Sequence, residues 1–191
     1  MDFILAIITY IGIAVIFVAK YYKKCLPNEV IAVYGIGIKN RGFKYVHSGG
    51  VFVWPLIQNY GVLSLETMTA NINAQKALCK GNILLNISAK FIYSISPSQE
   101  LLQNAAEKLL NLDTDGIAYI ASDILMGQLR LTTAQSTIKE INGNNGKFIE
   151  QVITDANSEL NKLGLSVIKA NITNVTEISD THKQNQNNIN G

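Results

Sequence analysis

What this chain of 191 residues lacks narrows its chemistry first. Two histidines occur, His47 and His182, and two cysteines, Cys25 and Cys79, at no spacing that holds a metal. Neither histidine has a cysteine, serine or carboxylate spaced to form a nucleophilic pair, so local sequence supports neither hydrolysis nor metal catalysis. Asp113 and Asp115 flank a helix start, where the helix dipole already favours carboxylates. Arg130 stands near a helix end, with a surface or interface salt bridge as its default role. Gly35-Ile36-Gly37 has the outline of a phosphate-binding turn, but Asn40 stands where the third glycine belongs. No cofactor, no metal and no catalytic residue is expected.

Charge is scarce too. Sixteen Lys and Arg face fourteen Asp and Glu, for a net charge of +2. Residues 1–24 hold one of the acids, Asp2, and three of the bases, Lys20, Lys23 and Lys24, which leaves thirteen of each sign in 25–191. That balance gives no basic face for a polyanion, and no nucleic acid is expected as a partner.

Hydrophobic residues make up 48% of the chain, but unevenly. Phe3 to Ala19, "FILAIITYIGIAVIFVA", carries no charge over 17 residues. As a helix it would rise about 26 Å, near the lower limit for a bilayer span. A cleaved signal peptide requires a basic leader and a small-residue cleavage site, whereas here Met1-Asp2 precede the run and "KYYKKC" follows it. A lipoprotein signal fits poorly because lysines sit directly before Cys25.

The expectation is a retained anchor, residues 1–24, with Phe3, Leu5, Ile8, Ile11, Val15, Phe17 and Ala19 in the membrane. Lys20, Tyr21, Tyr22, Lys23 and Lys24 then lie at the interface. Positive charge stays inside, which places the rest of the chain on the cytoplasmic face of the cell membrane, behind a single-pass or hairpin anchor. In that reducing compartment a disulfide is not expected. Cys79 reads as a small apolar residue, and Cys25 as a juxtamembrane thiol with acylation as the alternative. The sequons at Asn86, Asn171 and Asn174 have no meaning in this orientation, and sugar on any of them would invert it.

Beyond the anchor the pattern divides. "NEVIAVYG" and "VFVW" read as strands, the second launched by Ser48-Gly49-Gly50 and ended by Pro55. From Ile83 to Ile95 every odd position is apolar or aromatic, a strand with one face on a core. After Ser96-Pro97-Ser98 the spacing of Leu101, Leu102, Ala105, Ala106, Leu109 and Leu110 predicts a helix. A second helix begins near Asp113-Thr114, and a third at Thr137, with Glu140 at capping-box spacing. "NGNNG", Asn142 to Gly146, must break that one, since each glycine costs about 1 kcal/mol inside a helix relative to alanine. A last helix runs from Phe148 to Leu163, stops at Gly164, and gives way to the strand "LSVIKANI". The fold class is α+β: a β-rich part over 25–96, an α/β part over 97–176, and a disordered polar tail over 177–191.

The order "PNEVIAVYG", "GGVFVWPLIQNYGVLSLETMT", "SQELLQNAAEKLLNL", "ILMGQLR", "STIKEI", "ELNKLGL" behind an apolar N-terminus resembles the flotillins. More broadly it is similar to the SPFH or band 7 superfamily of stomatins, prohibitins, flotillins and HflK/HflC-type proteins, over about Cys25 to Ile172. The resemblance implies an SPFH1 part (25–96) and an SPFH2 part (97–176), and no catalytic residue to carry across. It implies a membrane scaffold that oligomerises and organises lipid and protein microdomains, or lipid rafts. The partners implied are membrane lipids, other copies or flotillin-like relatives, and integral membrane proteins. Under that reading Phe52, Trp54, Pro55 and Leu56 pack mainly in the SPFH1 core, with lipid contact by Phe52, Trp54 and Leu56 as the alternative.

Family members continue into a long Glu- and Ala-rich helical region. This chain passes instead into an Asn/Gln tail with no heptad run, so a short form with a small oligomer is expected. "NGNNG" also replaces a stretch that is usually charged and helical in the family. Two further readings follow: an adaptor or regulatory subunit of a membrane protease or other integral protein, and a modulator of full-length flotillin assemblies.

Overall fold

The computed structural model describes residues 2–38, 42–143 and 145–178; the side chains of Asp2, Leu5 and Asn145 are outside that description. The polar tail expected over 177–191 therefore falls almost wholly outside the described residues. Among the described residues eight strands and five helices run in the order α1 (Asp2–Tyr21), β1 (Tyr22–Cys25), β2 (Glu29–Gly35), β3 (Phe43–Val46), β4 (Gly49–Phe52), β5 (Gln58–Ser64), β6 (Met68–Cys79), β7 (Ile83–Ile95), α2 (Gln99–Leu109), α3 (Thr114–Gln135), α4 (Ile138–Gly143), α5 (Asn145–Leu160) and β8 (Leu165–Glu177). A 3-10 turn, Asn161–Leu163, links the last two.

The α+β class holds, but the cut expected between residues 96 and 97 does not match the compact units. One unit comprises residues 1–66 and 95–111, the other 67–94 and 112–191. A pattern of strands then helices suggests a break where the periodicity changes. Tertiary packing instead assigns β6 and β7 to the helices that cover them and returns α2 to the first sheets.

In the first unit β2 is the central strand of the order β3-β2-β5, antiparallel to both neighbours. Val30, Ile31, Ala32 and Val33 are all buried, the continuous apolar run of a strand covered on both faces. Ile31 and Val33 pack with Val53, and Cys25, Ile38, Val46 and Val51 close around them. Helix α2 buries Leu102, Ala105, Ala106 and Leu109, as its spacing predicts.

The second unit is a three-stranded sheet, β6-β7-β8, packed against helices. Leu85, Ile87, Ala89, Phe91 and Tyr93 of β7 are buried while Asn86 and Lys90 face outward, which is the period of two seen in the sequence. Alanines 70, 74 and 77 line the buried face of β6, and α3 packs on that strand through Ile117, Ala121, Leu125 and Leu129. Phe148, Val152, Ala156 and Leu160 of α5 complete the core, and Gly164 ends that segment with φ of +82°, where an L side chain would be strained.

Two local devices deserve their atoms. The β6–β7 register shifts between Ala74 and Ala77, and Lys76 adopts φ of +53° in the bulge. Asn86 Oδ1 accepts the freed Lys76 amide at 2.9 Å, and Arg130 Nη2 donates to the Gln75 carbonyl at 3.3 Å. Arg130 thus makes a hydrogen bond to the backbone of the bulge.

The second device is the capping box, present in both directions. Thr137 N donates to Glu140 Oε2 at 2.7 Å, and Glu140 N donates to Thr137 Oγ1 at 3.3 Å. Helix α4 ends at Gly143 and α5 starts at Asn145, both inside "NGNNG"; the break expected there falls on residue 144, which lies outside the described residues.

The Thr137 backbone and hydroxyl donors hold the Glu140 carboxyl below its ordinary value of 4.5, with the Lys80 charge adding to them. In the unfolded chain the carboxyl regains that value. The stabilisation is therefore complete above about pH 4.5 and is lost as the pH falls through the depressed folded value. Thr137→Ala should cost about 1 kcal/mol in denaturant unfolding at neutral pH. The stability difference between wild type and Glu140→Gln should shrink below pH 4.5, and a difference independent of pH would refute this account.

Candidate membrane-facing surface

Helix α1 runs for 20 residues and is exposed at Phe3, Ile4 and every position from Ala6 to Lys20. Phe3, Ile8, Tyr10, Ile13, Val15 and Ile16 each leave more than three-fifths of their surface uncovered. Thr9 donates its hydroxyl to the Ala6 carbonyl at 2.8 Å within the helix itself. No polar stripe divides the surface, which separates α1 from an amphipathic helix that lies in the plane of a membrane.

The strand that follows ties α1 to the first unit. β1 pairs antiparallel with β4, Tyr22 opposite Phe52 and Cys25 opposite Gly49, and Val53 N donates to the Tyr21 carbonyl at 3.2 Å. The double glycine of "SGGVFVW" now has a reason. Gly49 takes φ of +83° at the turn, and a Cβ on Gly50 would meet the Tyr22 ring.

Through this pairing Phe52 stands 6.5 Å from the Phe17 ring, which in turn is 4.7 Å from Tyr21. Trp54 meets Phe52 edge-on at 5.7 Å. None of the four residues expected mainly in the core is buried, whereas their neighbour Val53 is. Trp54 is 56% exposed, Leu56 95% and Ile57 44%, while Pro55 is exposed and Phe52 half-buried. The core expectation is overturned. The turn after β4 carries its apolar side chains outward, with Gln58 N donating to the Trp54 carbonyl at 2.9 Å to close it. Alternation in a short strand does not say which face of a following turn meets water.

Lysines ring this surface. Lys20 and Lys24 are exposed, and Lys23 is half-buried with its ammonium 5.2 Å from the centre of the Tyr60 ring. Cys25, next in sequence, turns inward: its thiol donates to the Glu29 carbonyl at 3.1 Å and the Val46 carbonyl at 3.2 Å beside the Ile31 cluster. Acylation there would have to break those contacts and swing the sulfur out. Cys79 is buried, in keeping with a small apolar residue.

Among the described residues no helix is long and apolar enough to cross a membrane. The uncharged run of α1 rises only about 26 Å against a hydrocarbon core of about 30 Å, and Leu5 within it lies outside the described side chains. The expected spanning helix is accordingly not supported as a span; an apolar helix, exposed at every described side chain from Phe3 to Lys20, is. No group of three metal-ligating side chains converges among the described residues. His47 lines an open cavity of about 550 Å³ with Lys44, Tyr45, Gln58 and Gln99. Burial, and then the charge of Glu107, push the Tyr45 hydroxyl above its ordinary range.

Residues 23–189 match the family described as the SPFH domain / Band 7 family. The chain belongs to that family. It is 31% identical over 158 residues to flotillin-1 of Homo sapiens and of Mus musculus, across 82% of this chain and 36% of each relative. Against flotillin-1 of Carassius auratus it is 30% identical over 161 residues, across 83% of this chain and 37% of the relative. This flotillin-like SPFH chain thus spans little more than a third of the length of those relatives. The match begins inside β1, so α1 lies outside it.

If the Cys25 thiol is held as described, a water-soluble maleimide should label both cysteines about tenfold or more slowly in the native protein than in denaturant. Hydroxylamine treatment of protein extracted from membranes should leave its mass unchanged. A hydroxylamine-sensitive acyl group on Cys25 would show instead that the sulfur escapes its carbonyl partners.

Proposed function

We propose that this SPFH protein is a non-enzymatic, membrane-attached scaffold unit that organises lipid and protein at the cytoplasmic face. The observation that carries the reading is the exposed apolar surface running from α1 through Phe17 and Phe52 to Trp54, with Leu56 exposed in the turn that follows. Apolar exposure on that scale is unfavourable in water and becomes favourable in hydrocarbon, at about 25 cal/mol per Å² transferred.

In this reading α1 enters the bilayer with Lys20, Lys23 and Lys24 at the headgroups, and the Trp54–Leu56 turn rests on the interface beside it. A helix suits that environment because its backbone groups are satisfied internally. The few ångströms by which the uncharged run falls short are absorbed by snorkelling lysines and local thinning, or by a helix that stays within one leaflet. The lysines select the cytoplasmic side and anionic lipid, each contributing about 1 kcal/mol near such a surface. Flotillin-like relatives supply the scaffold half of the reading, with copies of this chain and integral membrane proteins as the partners it would gather.

The chain's only tryptophan reports on the contact directly. With anionic phospholipid vesicles Trp54 emission should shift to the blue and its quenching by iodide should fall. The protein should float with the vesicles, and Trp54→Ala/Leu56→Ala should weaken partitioning about tenfold or more. Replacing Lys20, Lys23 and Lys24 by Gln should remove most of the preference for anionic over neutral vesicles. Unchanged Trp54 emission on vesicles that do bind the protein would remove the turn from the contact. Failure to float would remove the membrane reading altogether.

A further inference from the structure

Helix α3 shows the second unit's core one face and solvent another. Asp115, Tyr119, Asp123, Gly127, Leu131 and Gln135 recur at every fourth position and all six are exposed, a ridge inclined to the helix axis. Tyr119 is 70% exposed and Leu131 51%, and half-buried Ile120 and Ile124 border the ridge. At its middle stands Gly127, and a Cβ built there meets nothing within 4 Å. A glycine inside a helix is destabilising relative to alanine, and the chain's own packing gives no reason for it.

Charge supplies the clue to what fits. Asp123 lies four residues before Gly127 and Arg130 three residues after it, both exposed. Two α3 helices crossing antiparallel at Gly127 place Asp123 of each beside Arg130 of the other, within about 1.5 Å of the same height on the axis. The pattern is self-complementary, as a two-fold contact between identical chains requires. Arg130 can join such a pair without leaving the bulge, since one guanidinium nitrogen bonds the Gln75 carbonyl and other donors remain. Leu131, Ile120 and Ile124 then cover one another around the crossing, and the glycine lets the two backbones approach.

We infer that the α3 ridge is a two-fold docking surface for a second copy of this chain, with Gly127 at the crossing and reciprocal Asp123–Arg130 pairs beside it. The contact needs no lipid of its own, although copies confined to one membrane meet at a raised effective concentration. It therefore stands apart from the membrane-scaffold reading.

The test uses the full chain in mild detergent with Cys25→Ser and Cys79→Ala. Gly127→Cys, on an axis of two-fold symmetry, should form a disulfide-linked dimer under mild oxidation. Asn171→Cys, exposed on β8 in the same unit, should not. Adding Asp123→Arg should reduce the crosslinking rate about tenfold, and Asp123→Arg/Arg130→Asp should restore it. Circular dichroism of each variant separates a lost contact from a lost fold. Equal crosslinking at 127 and 171, or a charge reversal without effect in folded protein, would overturn the assignment. Vesicle flotation of the same variants keeps the two proposals distinct, because an α3 variant that no longer dimerises should still float.

Discussion

The arrangement of the first unit turns on one short ladder, β1 against β4. A helix as apolar as α1 has no internal reason to point anywhere, and a flexible linker behind it would leave the sheet free to tumble. There is no linker: β1 begins at Tyr22, the residue after α1 ends, and its partner strand ends two residues before Trp54. Four paired positions and the Val53–Tyr21 hydrogen bond fix where the helix leaves the sheet. Phe17, Phe52, Trp54 and Leu56 then belong to one surface rather than to separate elements. Gly50 is part of the same constraint, because the Tyr22 ring occupies the space of any larger side chain there.

The second unit solves a different problem. Its sheet buries one face under helices, and small residues on β6 bring α3 close. Polar atoms drawn into that packing are satisfied locally: Thr132 and Thr133 donate to the carbonyls one turn back, and Thr132 shares a further bond with Asp155. The bulge in β6 is held the same way, by Asn86 and Arg130 on the backbone it frees. Tyr93 departs from that pattern, its hydroxyl buried without a partner among the described residues and pushed above its ordinary range by that burial.

How much of this the sequence shows depends on the range of the interaction. The period of β7, the inward stripes of α2 and α5, the Thr137–Glu140 box and the stop at Gly164 are local properties of the chain, and each is legible there. The allocation of elements to units is not, because it is decided by which faces meet across many residues. β6 and β7 look like a continuation of the strands before them, yet they pack with helices that follow. Phe52, Trp54 and Leu56 fail for the same reason. Composition marks them as apolar, and only the turn geometry after β4 shows that Trp54 and Leu56 face outward. The α3 ridge was hidden differently: a lone glycine in a helix reads as a weak spot until its empty surroundings are seen.

Exposed apolar surface has two kinds of remedy, and the two units differ in which one suits them. Around α1 the surface is broad and unpatterned, with charge only at the helix ends. Such a surface asks for a solvent rather than a partner, since no particular geometry is written into it. The α3 ridge is narrow and interrupted by Asp123 and Arg130 at defined steps, and placing either charge in hydrocarbon would be costly. That patterning specifies shape and register, which lipid cannot read and another protein surface can. Both remedies leave the cores intact, because Ile31, Val33 and Val53 in one unit and Leu125, Phe91 and Val152 in the other are already covered by the chain itself. The proposed membrane contact and the proposed self-contact are therefore separable, each resting on residues its own core does not use.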